Sequence, residues 1–204
     1  MSHKADHYFT PRPQAEESPR VIDVNVRGVS FRLWTDSGVF SKGHLDPGTR
    51  MLIEHVRVPA SGKLLDLGGG YGPIGLVLAK ENPSLQVYMV DANERAVNLA
   101  KRNAVENGLS QVEVVLGDGF EPFEPAMRFT AVVTNPPYRA GKKIVHQWVA
   151  QSFERLEPHG TFTCVGRTKQ GIKSLARHIE GVFGNVRELA KGGGYRVLEA
   201  EKAG

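Results

Sequence analysis

Cysteine is nearly absent from this sequence: one residue, Cys164, in a chain of 204. It cannot pair within the chain, and its place in the apolar run "TFTCVG" reads as a buried core thiol rather than a nucleophile. A fold without disulfides suits a reducing, cytoplasmic setting. Long apolar runs are also missing. None approaches the ~18 residues that suggest a membrane span, and "MSHKADHYFTPRPQ" has no apolar stretch of the kind a secretory signal needs. No His/Cys cluster has metal-ligand spacing, so no metal is expected. His44 and His146 read as surface or packing residues. Net charge is small, +4, but it is not evenly spread. Tyr138 to Arg177 holds eight lysines and arginines against Glu154 and Glu157 alone, a local +6. A solvated helix face accounts for such a run by itself; a polyanionic partner is the alternative.

With 40% hydrophobic residues the chain can bury a core unaided by metals or cross-links. Residues 1–20 contain Pro11, Pro13 and Pro19 and read as a flexible arm. Residues 21–60 read as a β-hairpin turning at Arg27-Gly28, then a helix begun by Asp46 as N-cap and Pro47, both packed on the core. Residues 61–204 form the main domain. There, apolar strands ("KLLDL", "LQVYMVD", "VEVVLGD", "FTAVVTN", "GTFTCVG") alternate with helical segments, and "NVRELAKGGGYRVLEAE" closes the chain as an antiparallel hairpin. This pattern predicts an α/β fold with a mostly parallel sheet covered by helices on both faces. Ligands then belong at the carboxyl ends of the strands. Asp66, Asp91, Asp118 and Asn135 all fall at or just past such ends.

The loop "DLGGGYGPIG" can be divided in two ways. Gly70-Tyr71-Gly72-Pro73-Ile74-Gly75 fits the dinucleotide fingerprint G-x-G-x-x-G, with Asp91 at about the expected ~20-residue distance. The detail fits poorly. Two more glycines intervene after the strand, and Asp66 would put a carboxylate beside a pyrophosphate. The other division is Asp66, Gly68, Gly70 and Gly72. It resembles motif I of the class I S-adenosylmethionine-dependent methyltransferases, whose cofactor is cationic and phosphate-free, so that a nearby acid is favourable. The resemblance implies a Rossmann-like fold with a seven-stranded sheet. It implies that Asp91, followed by Ala92, takes the ribose hydroxyls. Asp118, with Gly119 and Phe120, would meet the adenine. A turn or cap explains any one aspartate; acids at three successive strand ends are harder to explain that way.

The fourth strand ends in "NPPY". Asn135-Pro136-Pro137-Tyr138 resembles the (Asp/Asn)-Pro-Pro-(Tyr/Phe) motif of enzymes that methylate a nitrogen conjugated with a ring or carbonyl. The motif holds no acid, base or nucleophile, and the chemistry explains why. A delocalised nitrogen needs its lone pair aligned more than its proton removed beforehand. The Asn135 amide oxygen and the Pro136 carbonyl can accept both N–H bonds, and the prolines fix φ near −65° so that the carbonyl is aimed in advance. Tyr138 is expected to give the base a stacking face.

Together with "DSGVFSKGHLDPGTRMLIEHV", "VDANERAVNLAKRNAVENG" and "TNPPYRAGKKIVHQW", these motifs resemble the small methyltransferase domain of the RsmC-type ribosomal RNA guanine-N2 methyltransferases over roughly residues 30–200. Gly69, where relatives often carry Cys or another small residue, is a mild departure. The resemblance implies S-adenosylmethionine as cofactor, S-adenosylhomocysteine as product, and ribosomal RNA or the small ribosomal subunit as partner. It implies that Phe40 and Leu45 lie over the cofactor and that Arg139, Lys142 and Lys143 touch RNA phosphates. Adenine N6 and protein glutamine N5 share the catalytic motif. A non-catalytic RNA-binding domain on the same fold is a third reading, disfavoured by the intact acids and Asn135. Monomer and homodimer stay open.

Overall fold

The computed structural model describes residues 18–37, 39 and 43–204. Most of the expected arm, and Phe40, lie outside the described residues.

Strands β1 (Arg20–Val26) and β2 (Val29–Thr35) form an antiparallel hairpin and a sheet of their own. Its turn puts both Arg27 (φ 50°) and Gly28 (φ 74°) in the left-handed region, as a two-residue turn with matching twist requires. Arg27 is held there by its own side chain. The guanidinium donates to the carbonyls of Ile53 and Val56 and pairs with Glu81. One face of the hairpin (Ile22, Val24, Val26, Phe31, Leu33) joins the main hydrophobic core.

The main sheet has seven strands: β3 (Gly62–Leu67), β4 (Leu85–Asp91), β5 (Val112–Leu116), β6 (Phe129–Thr134), β7 (Leu156–Arg167), β8 (Arg187–Gly192) and β9 (Tyr195–Glu201). Their spatial order is β5-β4-β3-β6-β7-β9-β8. The first five are parallel, and β9 pairs antiparallel with both β7 and β8. The fold is thus the mostly parallel seven-stranded sheet expected, with its antiparallel C-terminal hairpin. That hairpin turns at Gly193-Gly194, both with positive φ. β7 starts earlier than the run "GTFTCVG", because its pairing with β6 continues to Leu156 across a register shift between Phe129 and Ala131.

Helices α1 (Pro47–His55), α2 (Pro73–Glu81) and α3 (Glu94–Glu106) cover one face with the hairpin; α4 (Lys142–Arg155) and α5 (Ile172–Phe183) cover the other. Alternation along β3 shows the two layers. Leu64 belongs to the first cluster, and Leu65 and Leu67 to the second. Asp66 shares the side of Leu64 and is fully buried. The chain runs outward from β3 through β4 to β5, then returns to the other side of β3 as β6. That reversal of strand order opens a crevice at the carboxyl edge.

Candidate active site

The four residues singled out by strand position do meet along this edge. Asp91 ends β4, Asp118 stands two residues past β5, Asn135 directly follows β6, and Asp66 lies one residue inside β3. Backbone bonds bind the strand ends together. Gly68 N and Gly69 N donate to Val90 O, and Gly117 N to Asp91 O. The Thr134 hydroxyl donates to Leu67 O at 2.7 Å, fixing the end of β6 against β3.

A cavity of about 270 Å³ occupies the crevice. Gly68, Asp91, Ala92, Asp118 and Gly119 wall one side; Asn135, Pro137, Ala140, Ile144 and Trp148 wall the other. No lysine or arginine among the described residues lines it. A smaller recess of about 40 Å³ continues beneath the glycine loop, between Thr49, Tyr71, Asp91 and Asn135. Carboxylates without cations suit a cationic, phosphate-free cofactor and oppose a pyrophosphate. Gly70 has φ 60°, and a Cβ there would meet nothing within 4 Å, so the backbone is open to a ligand.

The acids of β3 and β4, one buried and one half-buried, do different work. Asp91 bridges two segments: its Oδ2 accepts from Gly70 N at 2.9 Å and its Oδ1 from Asn93 N at 2.8 Å. Burial pushes its pKa up, against the pull of those two amides. Each carboxylate oxygen keeps a second acceptor site, and the group lines the cavity. Asp66 does not line it. Its Oδ2 accepts from Gly75 N in the first turn of α2 at 2.8 Å, and its Oδ1 has no hydrogen-bond partner among the described residues. Burial lifts it to about 7, with the Asp91 charge adding to the rise. Asp66 therefore supports the loop from below. Gly69 sits directly over it; a Cβ there would lie 3.1 Å from Asp66 Oδ2 and 3.3 Å from Met89 Cε. Gly72 is likewise structural. It begins α2 at φ 101°, and a Cβ would press on Leu76 and Met89. Asp118 is exposed at the cavity wall. Phe120 is turned into the second hydrophobic cluster, edge-on to Phe129, and does not line the cavity. Leu45 is buried in the first cluster.

At the Asn-Pro-Pro-Tyr motif, Pro137 has φ −75° and ψ 75°, an inverse γ-turn in which Tyr138 N donates to Pro136 O at 2.8 Å. One acceptor site of that carbonyl is used and the other remains. A short 3-10 turn, Tyr138–Ala140, then leads to α4. Tyr138 departs from its expected position. Its hydroxyl donates to Val165 O at 3.0 Å, and its ring lies in a cleft between α4 and α5 instead of on the cavity wall. Gly166 makes the slot: a Cβ there would fall 2.1 Å from the Tyr138 hydroxyl. The tyrosine anchors the turn, and Pro137, Ala140 and Ile144 form the wall in its place. Arg139, Lys142 and Lys143 are exposed, with no ion pair among the described residues; none lines the cavity, and Lys142 borders the cleft that holds Tyr138. His146 stacks face to face on His178, with ring centroids 3.9 Å apart. Cys164 is fully buried and its thiol is pushed up to about 12, which makes it inert.

Some wall residues escaped the sequence reading. Trp148 and Ile144 come from α4, whose buried positions recur at helical spacing, so nothing in the sequence separated cavity wall from core. Asp46 and Thr49 are a second case: Asn135 Nδ2 donates to Thr49 Oγ1 at 3.0 Å and to Asp46 Oδ2 at 3.4 Å. Asp46 was legible as a helix cap, but not as a neighbour of Asn135.

Comparison with known proteins decides the family. The family description "Methyltransferase small domain" matches residues 30–199. The chain belongs to this family. It is an S-adenosylmethionine-dependent methyltransferase, and S-adenosylmethionine is its cofactor. It is 38% identical over 199 residues to the uncharacterized protein YbxB of Bacillus subtilis (strain 168), covering 97% of this chain and 99% of that one. It is 33% identical over 175 residues to the ribosomal RNA small subunit methyltransferase C of Hahella chejuensis, covering 84% of this chain and 49% of that one. Among solved structures, the T. thermophilus 16S rRNA N2-guanine methyltransferase RsmC in complex with AdoMet and guanosine superposes with TM-score 0.82 at 28% identity, over 93% of this chain and 52% of that one. The chain thus spans about half the length of the RsmC relatives. No helix among the described residues is long and apolar enough to cross a membrane.

Proposed function

We propose that this methyltransferase acts on an exocyclic amino nitrogen of a base in RNA, guanine N2 of small-subunit 16S ribosomal RNA. One observation carries the reading. A neutral amide, Asn135, stands at the wall of the cofactor cavity beside a proline-fixed carbonyl, with no acid or base between them. That pairing suits an amino group whose two N–H bonds must be held while its lone pair turns toward the methyl carbon. The N2-guanine activity in the name of the T. thermophilus relative supports the choice of base, and the small-subunit ribosomal RNA in the name of the H. chejuensis relative supports the choice of RNA.

In this reading Asp91 and Ala92 take the ribose, Asp118 and Gly119 meet the adenine edge, and the backbone at Gly68 and Gly70 lies against the rest of the cofactor. Asp66 and Gly72 hold the loop in shape. When bound, S-adenosylmethionine supplies an electrophilic methyl on a positively charged sulfur. Asn135 Oδ1 accepts one N–H of the base, and the free acceptor site of Pro136 O takes the other. The two hydrogen bonds draw the nitrogen out of conjugation and point its lone pair at the methyl carbon. The nitrogen becomes acidic once alkylated, and its proton passes to water at the open mouth.

Arg139, Lys142 and Lys143 contact phosphates beside the target base, fixing register without reading sequence. Lys169, Lys173 and Arg177, exposed on and just before α5, continue the same basic surface.

The test is transfer of labelled methyl to ribosomal subunits and total RNA from a strain lacking the enzyme, followed by nucleoside mass spectrometry. N2-methylguanosine in 16S RNA is expected. N6-methyladenosine, or label in protein, would redirect the reading to another planar nitrogen.

A further inference from the structure

Helix α1 lies far in sequence from the catalytic motif, yet its first turn touches it. Asn135 Nδ2 is 3.0 Å from Thr49 Oγ1 and 3.4 Å from Asp46 Oδ2. Asp46 is itself fixed as the N-cap, accepting from Thr49 N at 2.9 Å. Thr49 is 2% exposed and Asn135 is half-buried.

We propose that Asp46 and Thr49 are positioning residues, which hold the Asn135 amide in the one orientation that turns its oxygen toward the incoming amino group. An asparagine has a donor end and an acceptor end of nearly equal size, and a 180° rotation exchanges them. Only the oxygen can accept from the substrate; the NH₂ end would oppose the base donor to donor. An ionised carboxylate accepts and never donates. The end of Asn135 that faces Asp46 must therefore be the NH₂, and the oxygen must point the other way. The cap does two jobs with one side chain. It starts α1, and it sets the polarity of a catalytic amide 89 residues away.

The inference rests on the amino-nitrogen reading above, and two sets of variants test it. Asp46→Ser keeps a good N-cap, but its shorter side chain withdraws from Asn135 the oxygen that Thr49 N and Asn135 Nδ2 share, so Asn135 loses that restraint. Thr49→Val removes the second acceptor at nearly constant shape, and Thr49→Ser restores it. Asp46→Ser and Thr49→Val are expected to lower kcat about tenfold, the scale of losing a hydrogen bond to a charged group. KM for S-adenosylmethionine and Tm should stay near those of the parent, and Thr49→Ser should recover most of the rate. Unchanged kcat in both variants overturns the proposal. So does a loss of kcat that follows Tm and is not rescued by serine. A second readout needs no RNA substrate. The side-chain amide resonances of Asn135, assigned by their loss in Asn135→Ala, should move and exchange faster in Asp46→Ser and Thr49→Val. If the parent methylates no RNA but those resonances respond, the substrate reading fails and the positioning role stands. If they do not respond, the positioning role fails whatever the substrate.

Discussion

The two halves of the carboxyl edge are built by different means. On the β3–β5 side, the acids are held by backbone amides: Asp66 by Gly75 N, nine residues on, and Asp91 by Asn93 N and Gly70 N, two and 21 residues away. On the β6 side, Asn135 is held by side chains 86 and 89 residues distant, and Tyr138 by a carbonyl 27 residues on. The first half surrounds the cofactor cavity with carboxylate and bare backbone. In the proposed reading the second aims a neutral amide, and the exposed cations Arg139, Lys142 and Lys143 follow it in the chain. Holding a cationic cofactor, in the same reading, needs negative charge on a stiff loop, and Asp91, fixed by two backbone amides, supplies it. Aiming an amide needs a fixed rotamer, which only packing between distant elements can give.

The largest expected effect belongs to the first half and is a cost. Asp66 has its pKa raised from 3.8 to about 7 by burial. The sign follows from proton binding: between those values the folded state holds a proton that the unfolded state has lost. The stability contributed by the neutral carboxyl is fully present below pH 3.8 and disappears as pH rises through 7. Asp91 is raised too and acts in the same sense. Asp66→Asn, which cannot ionise, should gain on the parent by on the order of 3–4 kcal/mol between pH 4 and pH 8. Urea unfolding at a series of pH values measures the gap; a gap that does not widen with pH would mean Asp66 stays charged throughout.

Next comes Asn135 itself. Asn135→Ala should slow methyl transfer roughly 100-fold, the scale of one lost preorganised polar contact, while calorimetry shows cofactor affinity little changed. Unaltered turnover would remove the amide from the chemistry. Asp91→Asn should do the reverse. One end of the new amide must oppose Gly70 N or Asn93 N donor to donor, so S-adenosylmethionine affinity should fall by roughly 10- to 100-fold, as for a hydrogen bond to a charged group. Reversed outcomes for the two variants would erase the division between the halves.

The same division governs what the sequence revealed. Asp91 and the glycine loop were readable because they lie within two successive strand–loop–helix units, and strand ends announce themselves in apolar runs. The helix cap at Asp46 and the turn at Arg27-Gly28 were readable for the same local reason. The contact of Asp46 with Asn135 was not, since it exists only because α1 packs across β7 and β9 and brings its first turn within reach of Asn135. The ring position of Tyr138 was misjudged on similar grounds. The slot that draws it inward is made by Gly166 on β7, and no pattern near Tyr138 mentions β7. Asp66 shows a third limit. Alternation along "KLLDL" gives its side of the sheet, but whether that side is cavity or foundation depends on where α2 begins.

The smallest effect concerns the cations. Lys142→Ala with Lys143→Ala should weaken RNA binding by roughly tenfold or less and reduce the slope of log K against log[salt] by about one to two, as expected for two lost phosphate contacts. Both lysines are exposed at the start of α4, so their removal should leave stability and S-adenosylmethionine binding alone. Neither lines the cavity. kcat at saturating RNA should therefore hold while KM for RNA rises. A fall in kcat would mean that the mouth also aims the base, and the boundary between aiming and holding would have to be drawn further out along α4. An unchanged salt slope would return Lys142 and Lys143 to an ordinary solvated helix face, leaving Lys169, Lys173 and Arg177 to carry the backbone contacts.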